Sequence, residues 1–155
     1  MPFVLGAGSR KELTGVHPKL ISVVERAIKL TTQDFSVHDG LRTQEEQQAL
    51  VSRGASKTMK SKHRAQAGDG YGHAVDLVPF INGKLRWEWG AIWPIASAVH
   101  KAAAAEGVSL IWGAVWDRKM SQYDGTIVGL KAAVEAYKVR HPGPDFLDGP
   151  HFQIA

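Results

Sequence analysis

The sequence contains no cysteine. Disulfides and thiolate metal sites are therefore excluded. Any metal must be held by histidine, aspartate or glutamate, a donor set that suits zinc. No apolar run is long enough to span a bilayer. The opening "MPFVLGAGSRKEL" turns polar too soon for a secretory signal, so the expectation is a protein made in the cytoplasm that needs outside help for any export. Repeats, low-complexity tracts and linker-like stretches are missing too. One compact domain over residues 1–155 is the simplest organisation. Charge of one sign is only mildly in excess: the formal net charge is +4 and the pI about 9.4. Such a balance favours anionic partners such as nucleic acid, a membrane surface or cell-wall polymer. The nearest thing to a basic block is "KTMKSKHR", which a solvated loop explains about as well as a nucleic-acid arm does.

What is present reads as a mixture of helices and strands. "HPKLISVVERAIKL" sets Leu20, Val23, Val24, Ala27 and Ile28 on one helical face, with Pro18 in the first turn. "DFSVHDG" reads as a short strand ending at Gly40. Thr43 and Glu46 have capping-box spacing before the helix "QEEQQALVSR", and Gly54 ends it. "GHAVDLVPFINGKL" reads as a strand turning at Asn82-Gly83, a strong hairpin signal. Pro94 suits the first turn of a helix through "IASAVHKAAAAE", stopped by Gly107. "VSLIW" and "HFQI" read as strands. "TIVGLKAAVEAYKVR" reads as a helix capped by Thr126, with Ile127, Leu130, Val134 and Tyr137 on one stripe. The class is α+β, with an antiparallel sheet flanked by helices.

Seven histidines are present. His17, His100 and His141 have settings in which histidine is usually a surface or structural residue. His38 has no assigned role. His63, His73 and His151 stand out because carboxylates accompany them. A catalytic zinc needs three protein ligands and one open position. Asp76 and His151 are candidates for two of the three, and His63 or His73 supplies the third. Side chains alternate along a strand, so His73 and Asp76, three apart, point to opposite faces of a regular strand. His63 lies before the strand and is free of that restriction. A bulge at Gly72 would restore His73. Alternation also puts His151 and Gln153 on one face of "HFQI", with Phe152 and Ile154 on the other. Asp148, in the stiff turn "DGPH", stands where a carboxylate could take a proton from a metal-activated water. Arg42, between a strand and a helix, could clamp a carboxylate or a developing oxyanion. The tryptophans Trp87, Trp89, Trp93, Trp112 and Trp116 read as mostly core or cleft wall.

Taken together, "GLRTQEEQ", "GASKTMKSKH", "GHAVDLVP", "IWGAVWD" and "DGPHFQI" resemble, in this order, the zinc peptidases of peptidoglycan. That family includes phage L-alanyl-D-glutamate endolysins and D-alanyl-D-alanine carboxypeptidases, and the phage branch is the more similar. The resemblance implies a zinc-dependent peptidoglycan hydrolase with the small DD-peptidase fold and no separate wall-binding domain. It matches His63, Asp76 and His151 to the zinc ligands and Asp148 to the catalytic base. Arg42 matches the residue that holds substrate or stabilises the oxyanion, and Ser61 and Gln47 match positions that line the site. The implied protein is a monomer acting on peptidoglycan, with neither nucleic acid nor stable membrane insertion. It would reach the wall after a separate membrane-permeabilising protein releases it. Two alternatives differ in chemistry: a D-alanyl-D-alanine carboxypeptidase, and a wall- or nucleic-acid-binding module with a vestigial metal site.

Three departures from the family pattern are visible. "RAQAGDGY" lengthens the segment between His63 and Gly72, leaving His73, and more weakly Asp69, as alternative ligands. Val115 stands where the family often has an acid before tryptophan, and Asp117 is not given that role. The helix over residues 126–140 is longer than the usual connection and suggests a lid or an extra wall.

Overall fold

Helix α1 (Ala7–Glu12) and helix α2 (Pro18–Leu30) precede strand β1 (Phe35–Asp39) and helix α3 (Gln44–Ser52). Strands β2 (Ala74–Ile81) and β3 (Lys84–Leu85), helix α4 (Trp89–Glu106) and strand β4 (Leu110–Trp112) follow. Helix α5 (Ile127–Arg140) and strand β5 (His151–Ile154) end the order. This computed structural model describes every residue except Met1, Lys57, Pro144 and Asp145. The sheet runs β1-β2-β5-β4, all antiparallel, and β3 pairs with β2 through the expected Asn82-Gly83 turn. Both turn residues have positive φ, as a two-residue hairpin of this kind requires.

The register explains the two faces of the sheet. Val75 lies opposite Phe152 and Val37 opposite Leu77, and all four join the core with Leu110 and Trp112. The buried face of α2, formed by the predicted Leu20, Val23, Val24, Ala27 and Ile28, packs with α4 in the same cluster. Asp76, one residue from Val75, lies opposite His151. Directly opposed side chains in an antiparallel pair share a face and lie close enough to interact. The core thus fixes one face of the central strands, and strand alternation delivers an acid and an imidazole to the other.

Local signals held where they were strong. Thr43 and Glu46 form the capping box, Gly107 closes α4 in the left-handed conformation, and Thr126 caps α5. Pro94 is not in a first helical turn: α4 begins at Trp89, so the proline lies inside it. Ala91 and Ile92 are buried, and Trp89 packs on Trp93 and Trp112. Burial of that extra turn offsets an interior-proline penalty of about 3 kcal/mol. On α5, Leu130, Val134 and Tyr137 are buried as expected, but Ile127 at the first turn is exposed. Helix α1 has no amphipathic stripe to announce it. It is tied to β1 by the Val37 amide, which donates to Ser9 Oγ.

Candidate metal centre and active-site cleft

Three segments converge on the polar face of the sheet. Strands β2 and β5 bring Asp76 and His151 as cross-strand partners. The third segment is the loop carrying "SKH", held in place by the Arg42 amide donating to the His63 carbonyl at 2.7 Å. His63 is 2% exposed and His151 7% exposed, burial that imidazoles tolerate only with partners. His63 Nε2 lies 3.3 Å from Asp76 Oδ1, His151 Nδ1 lies 3.2 Å from the same oxygen, and the two nitrogens are 3.3 Å apart. These three residues form the one group among the described residues whose ligand atoms converge closely enough to hold a metal ion.

The far side of each imidazole determines which nitrogen faces the centre. His63 Nδ1 is 2.9 Å from the Gly40 carbonyl oxygen, which can only accept, so the ring proton sits on Nδ1 and the Nε2 lone pair points inward. His151 Nε2 is 2.9 Å from Gln153 Oε1, so its proton sits there and Nδ1 points inward. When neither inward nitrogen carries a proton, three electron-rich atoms face one another. A cation resolves that arrangement, and two imidazole nitrogens with a carboxylate oxygen are donors that fit a divalent transition metal. Burial pushes the Asp76 carboxyl up, but His151 and His63 override it and hold the group well below the usual carboxylate range. Burial also works against charge on His151, yet the Asp76 contact outweighs it and raises that imidazole's pKa.

The centre opens into a cavity of about 480 Å³ whose wall includes Arg42, Lys60, Ser61, Lys62, Trp116 and Asp148. Asp148 is half-buried, and its carboxylate has no hydrogen-bond partner among the described residues. Burial and the nearby Asp76 charge raise its pKa, while His151, His63 and Arg42 act against the rise. Its backbone is pinned: the Asp148 amide donates to the Gly113 carbonyl, and the Gly113 amide donates to the His151 carbonyl. A Cβ at Gly113 would run into the Asp148 carbonyl, so this approach requires glycine. The Trp116 ring stacks with Phe146 and lies tilted against His151, forming an aromatic wall.

Arg42 is strongly engaged. Its Nε donates to Asp39 Oδ2 at 2.5 Å and its Nη1 to Gln47 Oε1 at 3.1 Å, while Nη2 lies 3.8 Å from Asp76 Oδ2. Ser61 Oγ lies on the cavity wall and accepts from the His63 amide at 3.1 Å. Gln47 is fully buried behind Arg42 and also donates to the Thr58 carbonyl. It supports the guanidinium from behind and does not reach the cavity wall.

His73 faces away from the centre, its Nε2 lying 2.8 Å from Asp69 Oδ2 and its ring edge-on to His17. The extra loop therefore folds Asp69 toward His73 and His17. Its own turn is closed by the Gln66 amide donating to the Tyr71 carbonyl. Asp117, near the Val115 position, is occupied by Arg140 and His141, which ties the end of α5 beside Trp116. His17 caps α2 and His100 bonds the Tyr123 carbonyl, the structural roles expected of them. His38 sits where the β1 register shifts and packs on exposed Trp87, a tryptophan that belongs to neither core nor cleft. Three supporting residues were not singled out from the sequence. Gln153 was signalled by its shared face with His151, Asp39 only by its nearness to Arg42, and the Gly40 carbonyl by nothing.

Fold and centre together define a class: a small α+β protein with a His–Asp–His centre at the base of an open cleft. Within it, the chain belongs to the phage L-alanyl-D-glutamate peptidase family, whose model matches residues 1–133. It is 34% identical over 128 residues to the L-alanyl-D-glutamate peptidase of Escherichia phage T5, covering 80% of this chain and 89% of that protein. The solved structure of the Serratia marcescens L-Ala D-Glu endopeptidase ChiX matches with a TM-score of 0.69 and 33% identity. That match covers 96% of this chain and 87% of the other. The α+β architecture and the family expected from the sequence both agree with these matches. The family match stops short of Asp148 and His151.

Proposed function

We propose that this protein is an endolysin-type peptidase that hydrolyses the L-alanyl-D-glutamate bond of peptidoglycan stem peptides, with zinc held by His63, Asp76 and His151. The observation that carries the reading is the converging set of three inward-facing donors. Donors about 2.0–2.1 Å from a tetrahedral zinc stand about 3.3–3.4 Å apart. The edges of the triangle here are 3.2, 3.3 and 3.3 Å. Zinc bound there would polarise the scissile carbonyl and lower the pKa of a coordinated water.

The chain's own residues supply the rest. Asp148 takes the attacking water's proton and passes it to the leaving amine. Its raised pKa suits a group that must both accept and give up a proton. Arg42 stabilises charge developing on the carbonyl oxygen, held in position by Asp39 and Gln47. Ser61 contacts substrate from the wall, whereas Gln47 acts through Arg42. Lys60 and Lys62 stand on the wall with no ion-pair partner among the described residues, a setting that favours a stem peptide bearing free carboxylates. The protein acts as a monomer with a single peptidase domain and reaches the wall through a separate membrane-permeabilising protein. No helix among the described residues is long and apolar enough to cross a membrane.

Turbidity of purified cell walls tests this reading. Chelator should stop the clearing and added zinc should restore it. Full clearing by metal-free protein would exclude the proposed role of the centre.

A further inference from the structure

We propose that Gln153 is the positioning residue that presents His151 Nδ1 to the metal. The inference rests on the metal-site reading above but adds a residue to which neither the family match nor the resemblance gives a role. Strand β5 is central, paired with β2 on one side and β4 on the other, so the backbones of His151 and Gln153 are both fixed. Two residues apart on a strand, their side chains leave the same face. Gln153 Oε1 lies 2.9 Å from His151 Nε2. An amide oxygen is an acceptor, so it takes the Nε2 proton and leaves the lone pair on Nδ1. That nitrogen is the one 3.2 Å from Asp76 Oδ1. The bond also fixes the ring's rotation. Buried His63 achieves the same result with a backbone carbonyl, that of Gly40, which no side-chain substitution removes. His151 depends on a side chain, so its half of the centre can be tuned by mutation.

A partner on the outer nitrogen of a metal-bound histidine typically contributes about 10–100-fold in metal affinity. Gln153→Leu keeps the approximate volume and removes the acceptor. Gln153→Glu keeps the acceptor and adds charge, which makes His151 the stronger donor. The measurement is the zinc dissociation constant of the full-length protein by competition with a chromophoric chelator, read beside the melting temperature of the metal-free form. Gln153→Leu should weaken zinc binding at least ten-fold with little change in metal-free melting. Gln153→Glu should bind zinc at least as tightly as the parent. Parent-like affinity in Gln153→Leu would overturn the proposal, as would weakened binding in Gln153→Glu, which decides the matter if the leucine variant fails to fold. Failure of the functional reading looks different: tight, Gln153-dependent zinc binding without amide hydrolysis.

Discussion

Asp148→Asn isolates the proton-transfer step from metal binding. The substitution preserves shape and removes the ability to accept a proton. A positioned general base typically contributes about 10²–10⁴ in rate. At about 1.36 kcal/mol per decade, that corresponds to about 2.7–5.4 kcal/mol of transition-state stabilisation. The structure favours the upper part of that range. Among the described residues lining the cavity, Asp148 is the only carboxylate. Asp76, the nearby acid, is committed to both imidazoles. Among the described residues no second base stands ready to substitute. The assay is turnover on purified walls by zinc-loaded protein, with zinc content measured on the same sample. The variant should lose at least a hundred-fold in turnover while retaining its zinc. Activity within ten-fold of the parent would refute the assignment of the base. Loss of zinc would show that Asp148 is a ligand and that the base lies elsewhere.

Three further outcomes are expected. His63→Ala should abolish stoichiometric zinc binding in equilibrium dialysis, whereas His73→Ala should keep it; the opposite pattern would move the ligand to the extra loop. Gln47→Leu removes the hydrogen bonds of a fully buried side chain to Arg42 Nη1, Ser56 Oγ and the Thr58 carbonyl, at about 0.5–1.5 kcal/mol net for each. Denaturant unfolding should show that loss, and turnover should fall with zinc binding intact; unchanged stability would contradict the burial argument. Hydrogen bonds from Arg140 hold the Asp117 carboxyl well below the usual carboxylate range. The stability it contributes is present above that range and is lost as pH falls through the depressed pKa. Asp117→Asn should therefore lower the melting temperature slightly at neutral pH, as befits so exposed a pair, and the gap should close in acid. A gap that persists in acid would assign the effect to something other than charge.

Some of this architecture was legible because its causes are local. A capping box, an Asn-Gly turn and a left-handed glycine each depend on a few adjacent residues, and Thr43, Asn82 and Gly107 behave accordingly. Strand alternation set His151 and Phe152 on opposite faces, and the structure brings His63 and not His73 beside Asp76 and His151. The start of α4 was not legible, because tryptophan packing remote in sequence overrides the proline signal. Six-residue α1 has too little pattern to detect. The supports of the site escaped for a related reason. The Gly40 carbonyl is backbone, and the link from Gln47 to Arg42 appears only once a helix and a loop have met. Gln153 lay on the predicted face, but its partner is set by ring rotation, which a sequence does not encode locally.

Mass spectrometry of muropeptides digested by metal-free and by zinc-reconstituted protein tests the central claim most directly. The account predicts fragments ending in a free L-alanine carboxylate, formed only after zinc is restored. The same fragments from metal-free protein, or release of single D-alanine residues in their place, would contradict it.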